Sequence, residues 1–233
     1  MQLSDVKALV TGGSAGIGYE IARALIERGA KVAISGRDEA RLTVAATTLG
    51  ATAIPGDVSI DADAMRMVRR TIEAFGDYNV LVNNAGIGMF APLLETTAEA
   101  MRRVWEVNVL GATMVARESA RYFVQKQYGD IINISSTSGL RGGAGSSAYA
   151  STKFALRGLS EVWRAELRTH NIRVMLLNPS EVITEFAQRA GHAQQDNPSK
   201  LRGADIAHAV VAMLSMEDRG FIPELSVWAT NPR

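Results

Sequence analysis

Apolar residues along the chain alternate between short continuous runs and longer stretches with helical spacing. The continuous runs predict strands at residues 6–11, 31–36, 51–55, 80–83, 130–136, 172–177 and 221–228. Between these runs apolar residues recur every three or four positions, which predicts helices at residues 17–25, 41–49, 65–75, 98–123, 147–167 and 205–214. Strands that are apolar throughout are typical of parallel sheets that helices cover on both faces.

This alternation predicts an α/β fold. We expect a single Rossmann-type doubly wound domain over residues 1–233, with about seven parallel strands and helices on both faces. The least patterned stretch lies within residues 185–204. Because the loops beyond the carboxyl ends of the strands form the ligand crevice in such folds, we predict a short substrate lid there. An ordinary surface loop is the alternative.

Composition excludes several classes of function. Basic residues exceed acidic ones by 25 − 24 = 1, so neither nucleic acid nor a membrane surface is an expected partner. Cysteine is absent and the three histidines lack metal-ligand spacing, so we predict no disulfide and no metal. We also expect no targeting segment and no membrane span, and therefore a cytoplasmic protein.

A glycine-rich loop, T-G-G-S-A-G-I-G at residues 11–18, follows the first predicted strand. Gly12 permits a sharp turn, Gly16 permits close approach to a phosphate, and Gly18 permits close packing of the next helix. The free N–H groups and the dipole at the start of that helix suit a pyrophosphate. We therefore predict that this loop, including Ser14 and Ile17, binds a dinucleotide.

The end of the second predicted strand bears on the choice between NAD and NADP. An NAD site favours a carboxylate there to hold the ribose hydroxyls, whereas this chain has Gly36 followed by Arg37. A guanidinium can bind a 2′-phosphate through several N–H donors, so we predict NADP(H). The alternatives are a solvated Arg37 next to Asp38 and Glu39, or a 2′-phosphate held by Ser14.

Candidate catalytic residues lie in the second half of the chain. Tyr149 and Lys153 are four residues apart and share one face of a predicted helix. An ammonium and an oxidised nicotinamide nearby would lower the pKa of the phenol, which could then exchange a proton with a carbonyl or alcohol oxygen. Ser136, at the end of a predicted strand, is placed to polarise that oxygen, with Ser135 as its rival. Asn108 is a buried amide that either holds a water near Lys153 or bonds to backbone.

These motifs, in order along nearly the whole chain, resemble those of the classical short-chain dehydrogenase/reductase family, in its NADP-preferring form. The matching positions are the loop at residues 11–18, Asp57-Val58, Asn83-Asn84-Ala85-Gly86, Asn108, Ser136, Tyr149, Lys153, and the segment from Asn178-Pro179 to Thr184. The resemblance implies that Tyr149 is the general acid/base and that Lys153 lowers its pKa and binds the nicotinamide ribose. It further implies that Ser136 polarises the carbonyl and that Asn108 carries a proton relay.

The resemblance also implies a set of cofactor-binding positions beyond the glycine loop. Asp57 and Val58 would hold the adenine, whereas Thr184 would contact the nicotinamide or its pyrophosphate. The remaining positions, next to the adenine-side ribose, the sheet centre or the sixth strand, are Asn84, Ala85, Gly86 and Pro179. One departure from the family pattern is Ser180, which stands where the family usually has glycine, and a side chain there restricts the backbone.

The implied activity is hydride transfer between NADP(H) and a small-molecule ketone, aldehyde or secondary alcohol, as in a carbonyl reductase. A small hydroxy acid, a 3-oxoacyl thioester and a xenobiotic ketone all remain candidate substrates. The competing functions are a non-enzymatic NADP-binding module, which would be expected to lose Tyr149 or Lys153, and an epimerase or dehydratase, whose chains are usually longer. A homodimer or homotetramer is expected through residues 98–123 and 147–167, which carry Trp105 and Trp163. Alternatively, both tryptophans belong to the core.

Overall fold

The computed structural model describes residues 1–190 and 197–231, except for the side chain of residue 189. In chain order the strands are β1 (Lys7–Thr11), β2 (Lys31–Gly36), β3 (Thr52–Pro55), β4 (Val80–Asn83), β5 (Gly129–Ile134), β6 (Ile172–Pro179), β7 (Val182–Ile183), β8 (Leu201–Arg202) and β9 (Glu224–Val227). Seven of them form one parallel sheet in the order β3-β2-β1-β4-β5-β6-β9. This confirms the predicted seven-stranded Rossmann-like α/β domain.

Helices cover both faces of the sheet. They are α1 (Gly16–Ile26), α2 (Glu39–Leu49), α3 (Asp61–Phe75), α4 (Ala98–Trp105), α5 (Ala112–Lys126), α6 (Ser147–Leu167), α7 (Glu185–Arg189) and α8 (Gly203–Leu214). Alternate residues of β1 show the two layers: Ala8 and Val10 pack with α1, α2 and α8, whereas Leu9 packs with α3 and α5. The sheet thus has an apolar core on each side, as continuous apolar strands require.

Several predicted boundaries differ from the structure, including the following three. The fifth strand ends at Ile134, so Ser136 lies two residues beyond it and caps a short 3₁₀ turn, Thr137–Gly139. The last strand is shorter than predicted, because only Glu224–Val227 pairs with β6. The helix predicted at residues 98–123 continues to Lys126, and a π-helical turn, Glu106–Gly111, separates α4 from α5.

A small parallel strand pair encloses most of the predicted lid, residues 185–204, because β7 precedes the lid and β8 lies near its end. Val182 pairs with Leu201, and Ile183 pairs with Arg202, so the two ends of the intervening segment lie side by side. Within it the structure describes α7 and the turn that precedes β8, and residues 191–196 of the predicted lid lie outside the described residues.

A buried ion pair holds the opposite, amino-terminal end of the sheet. Asp130 of β5 receives two hydrogen bonds from the guanidinium of Arg173 on β6, at 2.6 and 2.5 Å. Arg173 also donates to the carbonyls of Met216 and Gly220, which fixes the chain after α8. Among the described helices, none is both long enough and apolar enough to cross a membrane.

Candidate active site

The candidate site lies where the strand order reverses between β1 and β4. In open parallel α/β sheets the crevice at this switch point, beyond the carboxyl ends of the strands, binds ligands. The glycine loop follows β1, and Ser136 follows β5. Tyr149 and Lys153 lie in the first turns of α6, so residues distant in sequence meet at the carboxyl end of the sheet.

The glycine loop has the backbone that its sequence predicts. Gly12 and Gly16 have φ values of +65° and +56°, which residues other than glycine rarely adopt. A Cβ atom on Gly18 would overlap the amide of Asn84 and the carbonyl of Gly12. No side chain in the described structure caps the start of α1. Its first backbone N–H groups therefore have no side-chain cap, and free N–H groups at a helix start suit a phosphate.

Hydrogen bonds of Thr11 and Asn84 fix the glycine loop to the chain after β4. The Thr11 hydroxyl accepts hydrogen bonds from the backbone N–H groups of Asn84 and Ala85, both at 3.0 Å. The Asn84 amide donates to the carbonyls of Thr11 and Gly12 at 2.9 and 3.2 Å. Asn84 thus positions the loop through its side chain. This role of Thr11 was not predicted from the sequence, although Thr11 is the first residue of the glycine-rich motif.

A polar corner forms at the end of β2. The Ser14 hydroxyl lies 3.4 Å from where a Cβ atom of Gly36 would be, so Gly36 leaves room beside Ser14. The Arg37 guanidinium is 56% exposed and lies 3.8 Å from the Asp57 carboxylate. Arg103 of α4 approaches the same carboxylate oxygen at 3.7 Å, a contact that no sequence signal predicted.

The environment of Asp57 keeps it ionised. Partial burial would raise the pKa of its carboxyl, but hydrogen bonds from Ser59 and the guanidinium groups of Arg37 and Arg103 outweigh burial and lower this pKa. The adjacent Val58 is buried in the core.

The catalytic candidates lie within contact distance of one another. Tyr149 is 9% exposed, and Ser136 lies close enough to its phenol to lower the pKa of that group. The Lys153 ammonium lies 5.5 Å from the centre of the Tyr149 ring and donates to the Ile134 carbonyl at 3.0 Å. The Ser136 hydroxyl also accepts a hydrogen bond from the N–H of Ser138, which fixes its orientation.

Burial shifts the pKa values of both Tyr149 and Lys153. Burial raises the pKa of Tyr149 to about 12, and the hydrogen bond with Ser136 opposes this shift. Burial also lowers the pKa of Lys153 to about 8. From the sequence we predict that an ammonium and an oxidised nicotinamide would lower the pKa of this tyrosine. In the protein itself the direction is the opposite, because desolvation of the phenolate exceeds the effect of the protein groups around it.

The two neighbouring serines have different environments. Ser135 is buried, and its hydroxyl donates to the backbone carbonyl of Lys153 at 3.3 Å. Ser136 is half-buried and faces Tyr149. The geometry thus brings Ser136 to the phenol, whereas Ser135 ties the strand end to α6.

Asn108 lies in the π-helical turn, a feature frequently found at functional sites. Its side chain pairs with the backbone of Ile87, accepting from the N–H at 2.8 Å and donating to the carbonyl at 2.9 Å. It also donates to the hydroxyl of Thr152, between the two catalytic candidates of α6, at 3.1 Å. The side chain of Asn108 is therefore bonded mainly to backbone, which is the second of the two arrangements considered above.

The other predicted positions surround the same crevice. Gly86 lies below Lys153, since its Cβ atom would be 3.8 Å from the ammonium. Thr184 caps α7 and lies 3.5 Å from where a Gly16 Cβ atom would be, so the start of the predicted lid touches the glycine loop. Pro179 is buried at the end of β6. The hydroxyl of Ser180, the position that departs from the family pattern, accepts a hydrogen bond from the N–H of Ala229 at 3.4 Å.

Two aromatic rings that the sequence analysis missed flank Tyr149. The centres of the Phe90 and Phe186 rings lie 5.4 and 5.5 Å from the centre of the Tyr149 ring. Phe186 lies in the predicted lid, and Phe90 lies in the loop after β4. Contacts between separate loops leave no periodic signal in a sequence.

A glycine loop at this switch point with a tyrosine–lysine pair beside it places the chain among dinucleotide-dependent oxidoreductases. The family model described as short chain dehydrogenase matches residues 6–195. A curated relative, the diacetyl reductase, (S)-acetoin forming, of Staphylococcus aureus, is 38% identical over 199 residues, covering 83% of this chain and 77% of the relative. The chain belongs to the short-chain dehydrogenase family.

Solved structures agree with this assignment. An alcohol dehydrogenase from Thermococcus sibiricus, complexed with 5-hydroxy-NADP, is 29% identical with a TM-score of 0.87 over 97% of both chains. A 3-ketoacyl-(acyl-carrier-protein) reductase from Brucella melitensis, complexed with NADH, is 28% identical with a TM-score of 0.88, covering 94% of this chain and 95% of the other. The two structures carry different nicotinamide dinucleotides.

Proposed function

We propose that this protein is an NADP(H)-dependent oxidoreductase that interconverts ketones or aldehydes with their alcohols. The observation that supports this most is the buried Tyr149, with the Ser136 hydroxyl near its phenol and the Lys153 ammonium 5.5 Å from the centre of its ring. Relatives with alcohol dehydrogenase and diacetyl reductase activity in their names support the same reaction class. A non-enzymatic binding module would have no need for this buried polar group.

The residues present fit a dinucleotide. The N–H groups at the start of α1 suit its pyrophosphate, while Gly12 and Gly16 let the backbone come close. Arg37 and Ser14 are the groups that would hold a 2′-phosphate, and the NADP analogue in the Thermococcus sibiricus structure supports this choice. Asp57, Val58, Asn84, Ala85 and Pro179 would complete the adenosine side and the floor of the site.

When bound, the cofactor supplies or accepts the hydride. Tyr149, with a pKa of about 12, is protonated at neutral pH and can donate to a carbonyl oxygen. Ser136 donates a hydrogen bond to the same oxygen as charge develops on it. Lys153 stabilises the phenolate that remains, and Thr152 and Asn108 hold its helix turn against the backbone of Ile87. The segment 185–204 acts as the lid.

We also propose that the protein is a cytoplasmic homodimer or homotetramer. Exposed apolar side chains on the helices at residues 98–126 and 147–167 support this, namely Trp105, Leu110, Phe154 and Val162. Trp163, by contrast, packs against the core and contributes to the fold.

The test measures the rate of NADPH and NADH oxidation, as a loss of absorbance, with a panel of ketones, aldehydes and 3-oxo esters. Tyr149→Phe should lower kcat by about 10²–10⁴-fold, the usual contribution of a general acid, with unchanged NADPH affinity. Tyr122→Phe is the matched control, because Tyr122 donates to Asp77 outside the site. Full activity of Tyr149→Phe would refute the mechanism.

A further inference from the structure

The three rings of Phe90, Tyr149 and Phe186 form an aromatic clamp over the candidate active site. The planes of Phe90 and Phe186 are inclined to the Tyr149 ring by 48° and 53°. Both rings also meet at Gly88, where an added Cβ atom would lie 2.8 Å from an atom of each. A substrate whose oxygen reaches Tyr149 and Ser136 must therefore place its carbon substituents against phenyl surfaces.

Each half of the clamp is held by its own loop. The N–H of Ala91, next to Phe90, donates to the Gly145 carbonyl at 2.9 Å, which fixes the loop after β4 to the start of α6. Phe186 lies in the first turn of α7, which Thr184 caps. Glu185 accepts a 2.7 Å hydrogen bond from Arg41 of α2, which ties α7 across the crevice. The rings are thus positioned by both flanking segments.

The clamp contains little that would recognise a charged group. Among the described side chains, Phe90, Phe186 and Lys153 contact the Tyr149 ring. The cation that contacts the Tyr149 ring is Lys153, whose ammonium is 3.0 Å from the Ile134 carbonyl. A substrate carboxylate would lose its hydration against the aromatic carbon of these rings.

We propose that Phe90 and Phe186 are specificity-determining residues that select uncharged carbonyl compounds with compact apolar substituents. This inference rests on the proposed function, and it favours a neutral ketone over a hydroxy acid. Size is limited because both rings close on Gly88, and charge is disfavoured because the walls are apolar.

The charge test compares methyl acetoacetate with acetoacetate, which share the reacting carbonyl and differ in the carboxylate. We expect kcat/KM with NADPH to be at least about 10-fold higher for the ester. Equal values, or a preference for acetoacetate, would overturn the selection against charge and would point to a cation from the lid. Ligand-observed NMR with NADP⁺ should show the same order of binding.

The size test compares cyclohexanone with 4-tert-butylcyclohexanone in the wild type, Phe186→Ala and Phe90→Ala. In each variant the ratio of kcat/KM for the bulky ketone to that for the compact one should rise by about 10-fold or more. Phe186→Leu should raise this ratio less than Phe186→Ala does, because leucine keeps an apolar side chain at this position. Phe75→Ala, at the end of α3, removes a phenyl group outside the site and should leave the ratio unchanged.

The outcomes separate this inference from the proposed function. Turnover with an unchanged ratio in both alanine variants would refute the clamp and leave the reductase intact. Absence of turnover with every carbonyl compound would refute the proposed reaction. In that case the NMR comparison still decides the clamp: stronger binding of methyl acetoacetate that is lost in Phe186→Ala supports it, and equal binding of ester and acid overturns it.

Discussion

Arg37→Leu is the most direct test of the cofactor assignment. The guanidinium of Arg37 is 56% exposed and 3.8 Å from Asp57, so it is free to turn toward a phosphate next to Ser14. A hydrogen-bonded contact with a charged group contributes about 1.5–3 kcal/mol, and solvent screening favours the lower part of this range. At about 1.5–2 kcal/mol, kcat/KM for NADPH should fall by about 10- to 30-fold.

NADH lacks the 2′-phosphate, so its kcat/KM should change by less than about 2-fold in the same variant. Arg103→Leu is a matched control, because it removes a guanidinium 3.7 Å from the same Asp57 oxygen but from α4. Initial rates with each cofactor, at two salt concentrations, make the comparison. The salt dependence of KM for NADPH should weaken only in Arg37→Leu, because that variant lacks the phosphate contact.

Two results would refute this reasoning. An equal loss with NADPH and NADH would mean that Arg37 acts on the shared part of the cofactor or on the fold. An equal effect of Arg103→Leu would mean that the change comes from the uncompensated charge of Asp57.

Two further predictions concern the catalytic candidates. Ser136→Ala should lower kcat by about 10²-fold, measured as initial rates. Ser135→Ala should keep kcat and lower the free energy of unfolding by about 1 kcal/mol, measured by denaturant unfolding. Similar losses of kcat in both variants would contradict the assignment of the two serines. Lys153→Met should abolish activity but raise Tm at pH 7, because burial lowers the pKa of this lysine from 10.5 to about 8. The unfolded wild type binds the proton more tightly, so its stability should rise between pH 8 and 10.5, and the methionine variant should lack that rise in a Tm-against-pH series.

The sequence alone determined the architecture, because the signals that carry it are local. Strands apolar throughout and separated by helical periods allow few arrangements other than a parallel sheet with two helical layers. The glycine loop could also be predicted locally, because a positive φ value is a property of one residue and glycine at positions 12 and 16 permits it. Tyr149 and Lys153 share a helix face through their spacing alone.

Boundaries inside the site were less predictable. Ser136 lies beyond the end of β5, so alternation along a strand could not distinguish it from Ser135. Asn108, in the π-helical turn, is hydrogen-bonded through its side chain to the backbone of Ile87, a partner from another loop. Helical periodicity in the sequence continues through this turn and gives no sign of it.

The tertiary structure decided everything that depends on burial or on contacts between loops. The clamp joins Phe90 and Phe186, which are 96 residues apart, and Arg103 of α4 reaches Asp57 in the loop after β3. The direction of the Tyr149 pKa in the protein is also a tertiary property. A neighbouring lysine can be recognised from spacing, but the cost of desolvating a phenolate depends on how completely the fold encloses it.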